Sequence, residues 1–285
     1  MSEDGTTVRR RPPEEIFSLL GDSTRIQILR AIREIESDAV SFSDIRERVG
    51  TRDSGKFNYH LKKLTDSFVR KTDDGYDLTM AGQAVVGAML SGTYTAVAEM
   101  EPIDLEEGNC LECGGQLRIE YENEAIEIFC AECGETHGQF TFPPGTLDQY
   151  DHEELPGAFN YWIRSEFAQA ISGFCPNCAG RLQPFVEQDD DGHFMARYDC
   201  SRCGQEVSSS VGAILLFEPT VISFCHEHGI DLTERHYWEL DWLRKDNASV
   251  VSTDPLLLQV RVTVDGAILD VTVDETHEVV DAVRR

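Results

Sequence analysis

Residues 53–78 read DSGKFNYHLKKLTDSFVRKTDDGYDL, and the rest of the chain is organised around this stretch. Of five lysines in 285 residues, four fall inside it: Lys56, Lys62, Lys63 and Lys71. At 100° per residue, Phe57, Leu61, Leu64 and Phe68 make one narrow apolar stripe, the pattern of a helix docked on a core. Tyr59, Lys62 and Lys63 point to the opposite face, flanked by Lys56 and Asn58, with His60 nearer the buried edge. Val69 to Leu78 then forms two short runs broken by an Asp-Gly hairpin signal.

A basic helix followed by a hairpin carrying Arg70 and Lys71 predicts a winged helix-turn-helix on double-stranded DNA. The candidate DNA contacts are Lys56, Asn58, Tyr59, His60, Lys62, Lys63, Arg70 and Lys71. A solvated helix face beside an ordinary hairpin is the plainer alternative. Clustering of lysine in a chain of net charge −27 favours an anionic partner.

Upstream, residues 1–13 form a polar tail with Arg9, Arg10 and Arg11, either a disordered basic arm on phosphates or a frayed end. A helix starts at Glu14 through Ile16, Phe17 and Leu20. Asp22 or Ser23 can cap the next, whose Ile26, Leu29, Ile32 and Ile35 face inward. Ala39–Phe42 reads as a short strand, and Ser43 caps a helix from Asp44 to Val49 that Gly50 stops. With the segment Leu20–Ile26, the Ser43-Asp44-Ile45 helix start, Asn58–Leu64 and the wing ending in Leu78-Thr79, residues 14–95 resemble the ArsR-type winged-helix transcription regulators. The resemblance implies that Asp44–Gly50 supports, Ser54–Asp66 reads the major groove and Arg70–Tyr76 is the wing. Metal-sensing members carry a Cys-x-Cys site on the supporting helix; Asp44–Gly50 has no cysteine, so arsenite sensing is not implied. A long helix is expected from Thr79 to Met100, with Val85, Val86, Met89 and Leu90 apolar. It resembles the family's dimerisation helix, which implies a homodimer; packing within one chain is the alternative.

Residues 1–100 hold 14 Lys+Arg and 16 Asp+Glu, and the remaining residues are net −25. A near-neutral module is therefore joined to a strongly acidic one, with Glu101–Asn109 expected as linker. Acid excess with scarce lysine resembles the proteins of salt-accumulating halophilic archaea. No run approaches 18 apolar residues and the first thirty lack a signal-peptide centre, so no membrane association and a cytoplasmic location are expected. There thiols stay reduced, and nine cysteines cannot all pair.

Eight of those cysteines carry the clearest chemistry. Cys110-x2-Cys113 precedes Cys130-x2-Cys133, and Cys175-x2-Cys178 precedes Cys200-x2-Cys203, with room between for a two-stranded hairpin each. Four thiolates from two knuckles close a tetrahedron, so two zinc ribbons (110–133 and 175–203) and two Zn²⁺ per chain are expected. Gly114, Gly134, Gly180 and Gly204 sit where knuckles turn sharply. The repeat offset of about 65–70 residues, with Tyr161-Trp162 and Tyr237-Trp238 following each ribbon, suggests an internal duplication. Closed four-cysteine sites leave no position for water, and His152-x-Glu154 ahead of Cys175 echoes a deaminase signature only faintly. Cys225, His226 and His228 are too close in sequence to close a site; Val221–Glu227 reads instead as a helix stopped by Gly229. Ser249–Thr253, Leu256–Val264 and Ala267–Val273 are expected as terminal strands, the last two turning at Asp265-Gly266.

The expected fold is α+β: a winged helix-turn-helix over residues 14–100, then an acidic domain over 110–285 with two zinc-ribbon hairpins, helices and terminal strands. The expected function is sequence-specific transcription regulation, with the acidic domain free to contact an effector or protein. The alternative is a non-catalytic adaptor of the transcription machinery; a zinc hydrolase or deaminase is the weakest reading.

Overall fold

A computed structural model describes residues 7–285. The fold is mixed α+β, with two compact units. One runs to Val97 and takes in Pro143–Thr146; the other holds Ala98–Phe142 and Leu147–Arg285.

The first unit comprises α1 (Pro13–Phe17), α2 (Ser23–Glu34), α3 (Phe42–Val49), α4 (Ser54–Leu64), the hairpin of β1 (Val69–Lys71) and β2 (Tyr76–Leu78), and α5 (Met80–Leu90). The starts of α2, α3 and α4 are fixed by side-chain caps. Asp22 Oδ1 accepts from Thr24 N–H at 2.9 Å, Ser41 Oγ from Asp44 N–H at 3.1 Å, and Asp53 Oδ1 from Lys56 N–H at 2.9 Å. The second cap differs from expectation: Ser41, not Ser43, opens α3, so Phe42 is helical rather than part of a strand. The strand expected over Ala39–Phe42 reduces to one bridge, Val40 with Tyr76. Gly75 makes that bridge possible, because a Cβ there would sit 2.5 Å from the Val40 carbonyl oxygen.

Phe57, Leu61 and Leu64 are buried as the stripe requires, and Phe68 joins them from beyond the helix. On α2 the buried residues are Ile28, Leu29, Ala31 and Ile32. Ile26 and Ile35 are only partly covered, since the helix presents a different arc to α3 and α4. The long helix expected to Met100 ends at Leu90, where Ser91 caps and Gly92 turns left-handed at φ 71°. The tail expected over residues 1–13 lies outside the described residues up to residue 6; beyond it, Arg9, Arg10 and Arg11 are exposed, and Arg11 Nη1 donates to Ser67 Oγ at 2.9 Å.

The second unit departs from expectation at its first strand. Ile103–Asn109, expected as linker, is β3, the edge of an antiparallel sheet ordered β3, β4 (Gln116–Glu122), β5 (Ala125–Cys130), β6 (Thr136–Thr141). Ile103 and Leu105 point inward while Asp104 and Glu106 face water, a period-2 pattern. The first ribbon is thus four-stranded rather than a two-stranded hairpin. α6 (Leu155–Ile171) leads to the second ribbon, a three-stranded sheet of β7 (Leu182–Gln188), β8 (Phe194–Cys200) and β9 (Glu206–Ser210). α7 (Pro219–Glu227) follows, with Gly229 beyond it at φ 79°, as the sequence indicated.

The chain closes with the antiparallel meander β10 (Ala248–Thr253), β11 (Leu256–Val264), β12 (Ala267–Asp274) and β13 (Val279–Arg284). Three of these strands were expected; β13 was not. Strand, 3-10 turn and helix recur in the same order in both halves of this unit, with helix starts at Leu155 and Pro219. The Tyr-Trp pairs do not follow the repeat, since Tyr161-Trp162 lies within α6 and Tyr237-Trp238 in a 3-10 turn.

Candidate metal centres and nucleic-acid interface

All four cysteine knuckles share one backbone design. The first cysteine of each accepts, through its carbonyl, the N–H four residues on: Gly114 to Cys110 at 2.8 Å, Gly134 to Cys130, Ala179 to Cys175 and Gly204 to Cys200, each at 2.9 Å. That fourth-residue position is left-handed throughout, at φ 76° for the three glycines and 52° for Ala179. Gly180, expected at the sharp turn, is not the left-handed residue of its knuckle. It sits one position later, where an added Cβ would lie 3.1 Å from both Cys178 and Cys200 Sγ, so it is needed for room against the sulfurs.

The knuckles bring Cys110, Cys113, Cys130 and Cys133 into one cluster and Cys175, Cys178, Cys200 and Cys203 into another. Sγ···Sγ separations are 3.7 Å for Cys110–Cys133, 3.5 Å for Cys113–Cys130, 3.6 Å for Cys175–Cys203 and 3.5 Å for Cys178–Cys200. A disulfide would need about 2 Å. A tetrahedron of sulfurs about 2.3 Å from a central ion has edges of roughly 3.8 Å, close to these values. The two clusters fit zinc-ribbon modules and can hold two metal ions.

Electrostatics supports the same reading. The Gly115 N–H draws the Cys113 thiol down, but its neighbours Cys130 and Cys133 outweigh this and push it up to about 12. The N–H of Cys133 helps bring Cys130 to about 7. In the second cluster Cys178 likewise rises to about 12 and the Gln205 N–H helps bring Cys203 to about 6. Four crowded sulfurs cannot all be anionic unless a cation sits among them. Around the first cluster, His137 Nε2 lies 3.3 Å from Cys110 Sγ, a contact the sequence did not flag because His137 is outside both knuckles. Arg244 bonds the Leu111 carbonyl and Glu112, and Lys245 bonds Glu135 at 2.9 Å, tying both knuckles to one segment.

Cys225, His226 and His228 form no such set. Cys225 is buried on α7, its thiol pushed up to about 11 by burial, and His228 Nδ1 donates to the Phe224 carbonyl at 2.7 Å. Asp189, Asp191 and His193 converge at the β7–β8 turn, where Asp189 Oδ1 accepts from the Asp191 and His193 N–H groups as an ordinary turn would.

In the first unit, α4 exposes Lys56, Tyr59, Lys62 and Lys63 and half-exposes Asn58, on the side away from Phe57, Leu61 and Leu64. Lys63 Nζ stands 5.6 Å from the Tyr59 ring centre. None of Lys56, Lys62, Lys63 and Lys71 pairs with a carboxylate among the described residues, whereas Lys245, the fifth lysine, does. His60 corrects the expected contact set. It is 6 % exposed, and its Nδ1 faces Asp22 Oδ1 at 3.4 Å, so it belongs to the α2–α4 packing. Arg70 is exposed but paired with Asp77 across the hairpin, and Lys71 is exposed with no such partner among the described residues.

Residues 107–279, more than half of the chain, match the family model described as a domain of unknown function, DUF7351. The chain belongs to the DUF7351 family. The matched span takes in both cysteine clusters, so the paired knuckles lie within the DUF7351 region. Residues 13–89 match a second domain of unknown function, DUF7347, which spans α1 to α5 as far as residue 89. No curated protein matches the chain.

Proposed function

We propose that this protein is a cytoplasmic, sequence-specific transcription regulator that binds double-stranded DNA as a homodimer and carries Zn²⁺ in both cysteine clusters. The observation that carries the reading is the face of α4: Lys56, Lys62 and Lys63 stand exposed with no carboxylate partner among the described residues, in a chain with 52 acidic residues. Left unpaired there, they suit phosphates and base edges. α4 would enter the major groove as reader, α3 would support it, and the β1–β2 hairpin would be the wing, as in ArsR-type regulators. Exposed apolar side chains at and beyond the end of α5, Leu90 at 65 %, Tyr94 at 84 % and Val97 at 97 %, favour dimerisation through that end. Zn²⁺ would be a structural ion, since four cysteines per site leave no place for a reacting water.

The test is binding of the full-length, metal-loaded protein to genomic duplex fragments across a salt series. The reading expects saturable binding that weakens with salt and persists against random competitor DNA. Binding that competitor abolishes entirely, or no binding at all, would favour an adaptor that uses the same face on protein.

A further inference from the structure

Within the second unit lies a cavity of about 310 Å³, walled by both ribbons, α6 and the segment preceding β10. Its apolar walls include Phe140, Ile163, Phe167, Val207 and Leu216. Two polar groups in it lack the partners their surroundings call for. Tyr237 lines the cavity, and its hydroxyl has no hydrogen-bond partner among the described residues. Arg164, half-buried on α6, donates from Nη1 to the carbonyls of Leu232 at 2.6 Å and Arg235 at 3.1 Å, both uncharged.

Arg164 is an exception in this acidic region. Residues 101–285 hold eleven lysines and arginines, and eight pair with an Asp or Glu side chain. Of the other three, Arg181 and Arg202 are exposed, leaving Arg164 as the shielded cation with no ion pair among the described residues. Burial pushes its pKa down, the expected cost of that isolation. Asp231 also acts on it electrostatically, but Asp231 Oδ1 accepts from Thr233 N–H at 2.8 Å and Thr233 Oγ1 at 2.7 Å. Glu112 and Glu135 face the same cavity, and Arg244 and Lys245 neutralise them.

The geometry points to a small apolar monocarboxylate as the occupant, its carboxylate on Arg164 and its hydrocarbon against the apolar walls. At roughly 30 Å³ per small group, the volume suits about ten heavy atoms. The general negative charge does not forbid an anion, because at about 1 M salt the Debye length is only about 3 Å and the local guanidinium decides. This site belongs to the second unit alone and stands whether or not α4 binds DNA.

Equilibrium dialysis of radiolabelled decanoate against the full-length, metal-loaded protein, at 1 M salt and below the micelle threshold, tests it. One decanoate per chain is expected, with 1-decanol and decylamine competing at least about tenfold less well. Arg164→Gln should weaken decanoate about tenfold or more while two metals per chain are retained. Should that variant lose metal, Val207→Trp narrows the cavity from β9 without touching the guanidinium and should abolish binding. No saturable decanoate binding, equal competition by decanol, or undiminished binding in a folded variant would overturn the assignment.

Discussion

Replacing Lys62 and Lys63 together by Ala removes two exposed charges from α4 and little else. Both side chains lie opposite Phe57, Leu61 and Leu64, so no core contact is lost, and Ala is the stronger helix former. Among the described residues the one side-chain interaction of either is the Lys63–Tyr59 contact at 5.6 Å, worth about 0.5–1 kcal/mol at an exposed site. Stability should therefore change by under about 1 kcal/mol. If each lysine neutralises one phosphate, the double variant should flatten the slope of log affinity against log salt by about 1.8 per protomer, or about 3.6 for a dimer. At about 1 kcal/mol per contact, affinity should fall roughly thirtyfold per protomer. Fluorescence anisotropy on one duplex, repeated across salt with circular dichroism as the folding control, measures both quantities. A folded double variant with unchanged affinity and unchanged salt slope would refute the assignment of α4 as reader.

Cys130→Ser and Cys200→Ser should each reduce bound metal from two equivalents to one per chain, checked by elemental analysis; less than one equivalent in the unaltered protein would reject both sites. A fragment ending at Val97 should bind the same DNA as the whole chain, and more tightly at low salt once the net −25 portion is gone, the gain fading near 1 M as screening shortens to about 3 Å. DNA binding by residues 98–285 alone would contradict that division. Asp270 is 1 % exposed between Arg261 and Arg285 on the terminal sheet, and its hydrogen bond to Arg261 holds its carboxyl below the usual 3.8. Because the folded value is the lower one, this contribution is complete above the ordinary carboxylate range and disappears as pH falls through the folded value. Asp270→Ala should cost about 1–3 kcal/mol at pH 7 in denaturant titrations, and less in strong acid; an equal cost at both would deny the ion pair.

Much of this architecture was legible in the sequence because it rests on local rules. The Phe57, Leu61, Leu64 stripe needs only helical spacing, and the knuckles need only Cys-x2-Cys followed by a residue that tolerates φ > 0. What stayed hidden was non-local or masked by charge. Ile103 and Leu105 alternate with Asp104 and Glu106 as a strand should, but the acidic run read as linker because its partner, β4, begins beyond the first knuckle. α5 stopped early at a signal already present, Ser91-Gly92. His60 sits at the edge of the apolar arc, where 100° per residue cannot say which neighbour closes over it; Asp22, the cap of α2, does. The cavity around Arg164 draws its walls from segments far apart in the chain, so no motif announced it.

If α4 reads base sequence, selection from a random duplex pool reveals it. Full-length, metal-loaded protein should enrich a two-fold-symmetric site whose half-sites lie about ten base pairs apart, as a dimer presenting two reader helices requires. The Lys62→Ala, Lys63→Ala variant should leave the pool nearly unchanged. Folded, metal-loaded protein that enriches no sequence through successive rounds would contradict it.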